Sequence, residues 1–376
     1  MGEKRIFLSS PTMHGEEQVF IKEAFDTNWI APLGANVDGF EHDIEEYTGC
    51  RHAAALVSGT SAIHLALKLC NVKRDDIVFC SSLTFSATAN PITYEGAIPV
   101  FIDSEEETWN MDPKALEKAF EKYKNVKAVI AVNLYGVPAK LDQLKAICES
   151  HEVPFIEDAA ESLGATYQGK QTGTFGEIGI YSFNGNKIIT TSGGGMLVSE
   201  DDSKIKKARF WATQSREPER HYEHKEIGYN YRMSNIVAGI GRGQIIHLDQ
   251  HVELKTNIYN IYKEAFSDIK EITMNPFVKD SVPNFWLSCI LIDKNSKVKP
   301  LDIMEALDKE NIECRPIWKP MNLQPVFSYA DFIQVCEGKS VGERVFEQGV
   351  CLPSDIKNSK EDMETIINII RGLFEK

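Results

Sequence analysis

Ala54-Ala55-Leu56-Val57-Ser58-Gly59-Thr60-Ser61-Ala62-Ile63-His64-Leu65-Ala66-Leu67-Lys68-Leu69 joins a short, unbroken apolar run to a helical pattern through a turn of small polar residues. Ala62, Leu65, Ala66 and Leu69 fall at helical spacing. The couplet recurs along the chain. Apolar runs at 78–81, 99–103, 127–134 and 153–158 alternate with amphipathic stretches at 86–94, 113–123 and 141–150, and further runs follow at 178–183 and 195–199. The runs are continuous rather than alternating, which predicts strands buried on both faces. Strands interleaved with helices predict a largely parallel sheet in an α/β fold. Ligands of such sheets gather beyond the carboxyl ends of the strands. Thr84-Phe85, Asp158 and Ser182 are expected to converge there.

The pattern changes after about residue 250. An amphipathic helix is expected from about 250 to 266, then a strand over 286–292 and a terminal helix ending at Phe374. The expected division is a large domain of residues 1–250 and a smaller α+β domain of residues 251–376, which the chain length allows.

The net charge of -14 argues against a general nucleic-acid binder, which needs a basic face. It leaves room for one phosphorylated ligand held by local cations. The eight cysteines form no C-x-x-C pair, so free thiols in a reducing compartment are expected. No apolar run approaches the ~18 residues of a membrane span. The first residues lack the apolar core of a signal peptide, so a cytoplasmic enzyme is expected. His221 and His224 have no third ligand at matched spacing, so no metal site is expected.

Lys187 ends the run Tyr181-Ser182-Phe183-Asn184-Gly185-Asn186-Lys187, a few residues beyond an expected strand. A lysine in this setting can hold a pyridoxal ring as a Schiff base. Asp158, closing Pro154-Phe155-Ile156-Glu157-Asp158, supplies an anion for the ring nitrogen. Pyridoxal phosphate needs this pair: an amine for its aldehyde carbon and a carboxylate that keeps the pyridine protonated as an electron sink. The competing reading is a surface lysine and a strand-end aspartate. Ser58-Gly59-Thr60-Ser61, after a strand and opening a helix, suits a phosphate or serves as an ordinary N-cap. It lacks the Gly-Lys-Thr ending of a Walker loop, and Ile63 replaces the last Gly of a nucleophile elbow. Phe85 can stack on a flat ring or fill the core. Gly193, Gly194 and Gly195 let backbone pass close to a ligand or form a flexible turn. Arg232, in Tyr229-Asn230-Tyr231-Arg232, can grip a phosphate or carboxylate or make a surface ion pair. Arg315-Pro316-Ile317-Trp318-Lys319 offers a similar mixture of cation and aromatic.

On these residues the chain resembles the DegT/DnrJ/EryC1/StrS sugar aminotransferases, which have the aspartate aminotransferase (type I) pyridoxal phosphate fold. The matching stretches are Asn28-Trp29-Ile30-Ala31-Pro32-Leu33-Gly34, 58–66, Thr84-Phe85, Asn133-Leu134-Tyr135-Gly136, 157–161, 181–196, 228–232 and 315–319. The resemblance implies that Lys187 is the Schiff-base lysine and proton shuttle, and that Asp158 is the pyridine-nitrogen partner. Phe85 would stack on the ring. Gly59, Thr60, Ser61 and Ser182 would lie around the phosphate, and Glu161 beside the cofactor. Asn230 would reach the phosphate of the neighbouring subunit, implying a homodimer with shared sites. Trp29, Arg232, Arg315 and Trp318 are candidate substrate contacts. The 28–34 and 182–196 stretches are similar to the subgroup acting on UDP-linked 4-keto-6-deoxy-N-acetylhexosamines, with glutamate as amino donor, in surface glycan synthesis. A dTDP-linked 3- or 4-keto sugar aminotransferase and a non-catalytic regulator that binds the cofactor or a sugar nucleotide are the alternatives. A nucleotide-dependent oxidoreductase would need G-x-G-x-x-G after the first strand, and 58–66 lacks it.

Overall fold

The computed structural model describes residues 5–335 and 337–375. The thiol of Cys336 and the first four residues of the N-terminal reading lie outside the described residues. An eight-stranded sheet organises the chain, in the order His52–Leu56, Gly195–Ser199, Ile178–Ser182, Phe155–Asp158, Val126–Val132, Ile77–Ser81, Ile98–Ile102, Asp331–Ile333. Gly195–Ser199 runs antiparallel to both neighbours, and every other pairing is parallel. This is the expected α/β architecture with a mostly parallel sheet.

The strands bury both faces. Ala54, Leu56, Val78 and Cys80 enter one apolar cluster, while their sequence neighbours Ala53, Ala55 and Phe79 enter others on the opposite side. That two-residue alternation is the pleat at work. Helices Gly59–Leu69, Ser86–Tyr94, Pro113–Lys122 and Leu141–Ser150 connect the strands, each within a few residues of its expected range.

A second, four-stranded antiparallel sheet is built from Ile272–Met274, Ser288–Ile292, Gly349–Leu352 and Arg315–Pro316. Tyr262, Ile290, Ile303, Ile366 and Ile370 form its core. The two halves exchange segments across the expected division at residue 250. Ile6 is buried in the core of the smaller sheet and bridges Ile312. Asp331–Ile333 leaves the C-terminal half to extend the large sheet beside Ile98–Ile102.

The strand expected over 286–292 begins later, at Ser288. Phe285 takes a positive φ of 47°, and the Trp286 N–H donates to the Asn284 side chain at 2.9 Å. The chain is therefore still turning at Trp286. The seven described cysteines are free. Among the described residues no helix is long and apolar enough to cross a membrane, and no cluster of His, Cys, Asp and Glu could hold a metal ion.

Candidate active site

The parallel strands end on one side of the sheet, and a cavity of about 290 Å³ opens there. Ser58, Gly59, Thr60, Phe85, Thr88, Asp158, Glu161, Ser182, Asn186, Lys187, Trp286 and Trp318 are among its lining residues. Asp158 is the last residue of its strand and Ser182 the last of the next. Lys187 follows on a turn closed by Lys187 N–H to the Asn184 carbonyl at 3.0 Å.

Helix Gly59–Leu69 points its N-terminus into the cavity. Ser58 and Ser61 cap each other there: the Ser61 N–H donates to Ser58 Oγ, and the Ser58 N–H to Ser61 Oγ, each at 3.1 Å. The Gly59 and Thr60 amides have no intrahelical partners, as at any helix start, and both residues line the cavity. A Cβ on Gly59 would come within 3.1 Å of the Ser182 side chain, and one on Gly195 within 2.3 Å of the Ser58 backbone. A side chain at Gly195 would collide with backbone, whereas one at Gly59 would press on the Ser182 side chain.

Asp158 is buried at 3% exposure. Its Oδ2 accepts from Thr88 Oγ1 at 2.7 Å and its Oδ1 from the Ala160 N–H at 3.1 Å. Thr84 backs Thr88 at 2.7 Å. Glu161 is equally buried. Tyr135, at a positive φ of 53°, turns its N–H onto Glu161 Oε2 at 2.6 Å. The Lys187 ammonium lies 3.9 Å from Glu161 Oε1 and 4.1 Å from the centre of the Trp286 ring. Burial shifts all three ionisable groups toward neutrality. It raises Asp158, raises Glu161 to about 7, and lowers Lys187 despite its two acidic neighbours.

Two buried carboxylates thus face one buried amine. A protonated pyridine nitrogen against Asp158 would favour its ionised form against the push of burial. Lys187 offers an amine able to deprotonate and attack an aldehyde. The helix N-terminus offers amides for a phosphate. The residues present fit pyridoxal phosphate.

The structure also places the other candidates. Trp318 lines the cavity with its ring 5.3 Å from that of Phe85. Ser61 lies off the lining, with its hydroxyl spent in the cap. Arg232 is buried away from the cavity, where it donates to Glu41 Oε1 at 2.8 Å and the Ala55 carbonyl at 3.1 Å. Through Nη1 it tethers helix Ala35–Thr48 to the sheet, while its Nε has no hydrogen-bond partner and the residue lines a separate groove together with Asn230. Arg315 pairs with Glu313 at 2.7 Å on a separate surface. Trp29 is half exposed, outside the cavity, with its indole N–H on the Leu33 carbonyl. Asn230 is exposed and lines a different groove with Pro32, Leu33 and Arg216. Thr88 and Trp286 join the site without having been singled out. Thr88 carried a signal, as it lies one helical turn beyond Thr84, whereas Trp286 resembled the start of a buried strand.

The family described as the DegT/DnrJ/EryC1/StrS aminotransferase family matches residues 11–371. The chain is 53% identical over 375 residues to EpsN of Bacillus subtilis (strain 168), named as a candidate pyridoxal phosphate-dependent aminotransferase; 99% of this chain and 96% of that protein are covered. It is 33% identical to a GDP-perosamine synthase of Caulobacter vibrioides, with 96% of each covered. It is 35% identical over 236 residues, 62% of each chain, to a UDP-4-amino-4,6-dideoxy-N-acetyl-beta-L-altrosamine transaminase of Campylobacter jejuni. Among solved structures, a DegT DnrJ EryC1 StrS aminotransferase from Brucella abortus superposes with a TM-score of 0.88 at 27% identity, covering 96% of both chains.

Proposed function

Because the chain belongs to the DegT/DnrJ/EryC1/StrS aminotransferase family, we propose that it converts a UDP-linked 4-keto-6-deoxy-N-acetylhexosamine to the 4-amino sugar, with glutamate as amino donor. Membership makes it a pyridoxal phosphate-dependent sugar aminotransferase. The observation that carries the site assignment is the meeting of Lys187, Asp158 and Glu161 in one buried cavity. Support for the UDP-amino sugar comes from the name of the Campylobacter relative and from the 28–34 and 182–196 stretches.

Bound pyridoxal phosphate supplies the electron sink that lets an amino group pass from donor to ketone. The residues of this chain do the rest. Asp158 would hold the proton of the ring nitrogen, with Thr88 fixing its carboxylate. The Gly59 and Thr60 amides and Ser182 would hold the phosphate. Phe85, which lines the cavity, would stack on the ring. Lys187 Nζ, made less basic by burial, would take the proton from the donor's nitrogen-bearing carbon and deliver it to the carbon on the other side of that nitrogen. Proton transfer by a positioned base is worth on the order of 10² to 10⁴ in rate. Glu161 steadies the ammonium between transfers, and the Trp286 ring keeps water off Nζ. Asn230 lies outside its own cavity; by the family resemblance it acts in the site of a second copy, in a homodimer.

Incubation with a panel of UDP-, GDP- and dTDP-linked keto sugars plus glutamate, followed by NMR of the product, tests the substrate. Amination of the UDP-linked 4-keto sugar is the expected outcome. A GDP-linked keto sugar as the preferred acceptor would establish the second reading, which the whole-length similarity to a GDP-perosamine synthase favours. Borohydride reduction of the loaded enzyme, with peptide mapping, should label Lys187 alone. A label on another lysine would refute the site.

A further inference from the structure

The carbonyls of the two residues that flank Lys187 are both tied to side chains from distant segments. The Asn186 carbonyl accepts from Trp286 Nε1 at 2.6 Å and from Ser9 Oγ at 3.1 Å. The Ile188 carbonyl accepts from His251 Nδ1 at 2.7 Å. A carbonyl only accepts, so Nδ1 of His251 carries the proton. In neutral His251 the other nitrogen, Nε2, is therefore bare, and it lies 2.7 Å from Nε2 of His14. Two bare nitrogens do not bond, so His14 donates. One carbonyl thus dictates the tautomers of both rings.

His14 belongs to the N-terminal segment and His251 to helix Leu248–Ala265. The surroundings brace the same turn. His14 stacks on His247 with ring centres 3.7 Å apart, and His247 meets Glu16 at 3.1 Å. Buried Glu17 accepts from the His14 and Gly15 amides and from Gln244. Gln244 in turn accepts from the Thr190 N–H at 3.2 Å. The charged and titratable groups facing His251 are His14, His247 and Lys255, and those facing His14 are His247, Glu16 and Glu17.

We propose that His14 and His251 are positioning residues for Lys187: a one-way relay, His14 Nε2–H to His251 Nε2 and His251 Nδ1–H to the Ile188 carbonyl, fixes the turn that carries the lysine, and a second added proton breaks it. A first added proton goes on His14 Nδ1, is favoured by the nearby Glu17 and Glu16, and leaves the relay whole. A second must go on His251 Nε2 and sets two N–H groups head to head at 2.7 Å. Burial lowers both histidines below the ordinary value of 6.5, so the relay is closed at neutral pH and opens on acidification. The inference rests on Lys187 being the cofactor lysine, but the geometry of its turn can be read without cofactor.

Amide hydrogen exchange across 186–192 in the cofactor-free protein, together with pH–rate profiles of the loaded enzyme, tests the relay. His251→Ala should speed exchange in that segment by about tenfold or more, leave the strands unchanged, and lower kcat more than it alters KM. His14→Gln keeps an N–H for neutral His251, and its amide can turn its oxygen to His251 Nε2 once that nitrogen is protonated, so acid no longer sets two N–H groups head to head. The variant should retain wild-type protection at pH 7 and shift the acid limb of kcat to lower pH. Wild-type exchange and kcat in His251→Ala would overturn the proposal. So would an unmoved acid limb in His14→Gln, which decides alone if His251→Ala fails to fold. A borohydride label away from Lys187 would instead sink the cofactor reading and leave the exchange result standing.

Discussion

Lys187 and Asp158 are separated by 29 residues (187 − 158) and meet in one cavity. Replacing the lysine with alanine should abolish turnover while the phosphate end can still bind, as cofactor titration with and without substrate would reveal. Asp158→Asn should cost at least about two orders of magnitude in kcat, since the ring nitrogen loses its anionic partner. Glu161 carries a pH signature. Burial raises it from 4.5 to about 7, so between these values the folded chain holds a proton that the unfolded chain has lost. Its contribution is full below pH 4.5 and falls by about 3 kcal/mol as pH rises to 7. Melting curves of the cofactor-free protein from pH 5 to 8 should therefore decline less steeply in Glu161→Gln than in wild type. The lysine and aspartate were legible because their chemistry is written in local strings. The fate of Arg232 was not, because its partner Glu41 lies 191 residues away. A cation looks the same in a sequence whether it faces a substrate or a buried glutamate.

The element that presents the phosphate cradle is helix Gly59–Leu69, and its start depends on two hydroxyls. Ser58→Ala should lower stability by about 1 kcal/mol, the usual worth of such a cap, measurable by denaturant unfolding. Gly59→Ala keeps the helix but presses a methyl toward Ser182, so its main effect should be a weaker hold on pyridoxal phosphate, read by cofactor titration. Loss of fold with normal cofactor affinity in the remaining folded fraction would contradict that assignment. The helix was readable because small polar residues precede an apolar stripe at helical spacing. Ser61 was read as a ligand contact, yet the cap had the stronger claim on its hydroxyl. The loop holding Trp286 was obscured because an apolar run looks like a strand, while the turn before it depends on Asn284 contacts that a local window does not reveal.

On the scale of the whole molecule, the parallel sheet was legible from its alternating pattern, and the exchange of segments between the two halves was not. Three residues at 331–333 are too few to announce a strand, and their partner Ile98–Ile102 lies more than 200 positions earlier. The dimer can be tested at this scale. Neither Lys187→Ala nor Asn230→Ala should be active alone, yet mixed and re-equilibrated subunits should recover about a quarter of wild-type sites by random pairing. No recovery would show that Asn230 serves its own chain or none. The crossing segments also bear on how the chain is made. A ribosome releases Ile6 near the outset, but its seat beside Ile312 does not exist until most of the protein has emerged. The large sheet likewise waits for residues 331–333 before its outer edge beside Ile98–Ile102 is sealed. During synthesis that edge stays open to any passing strand, and a nascent chain arrested near residue 320 is the species on which a chaperone has most to act.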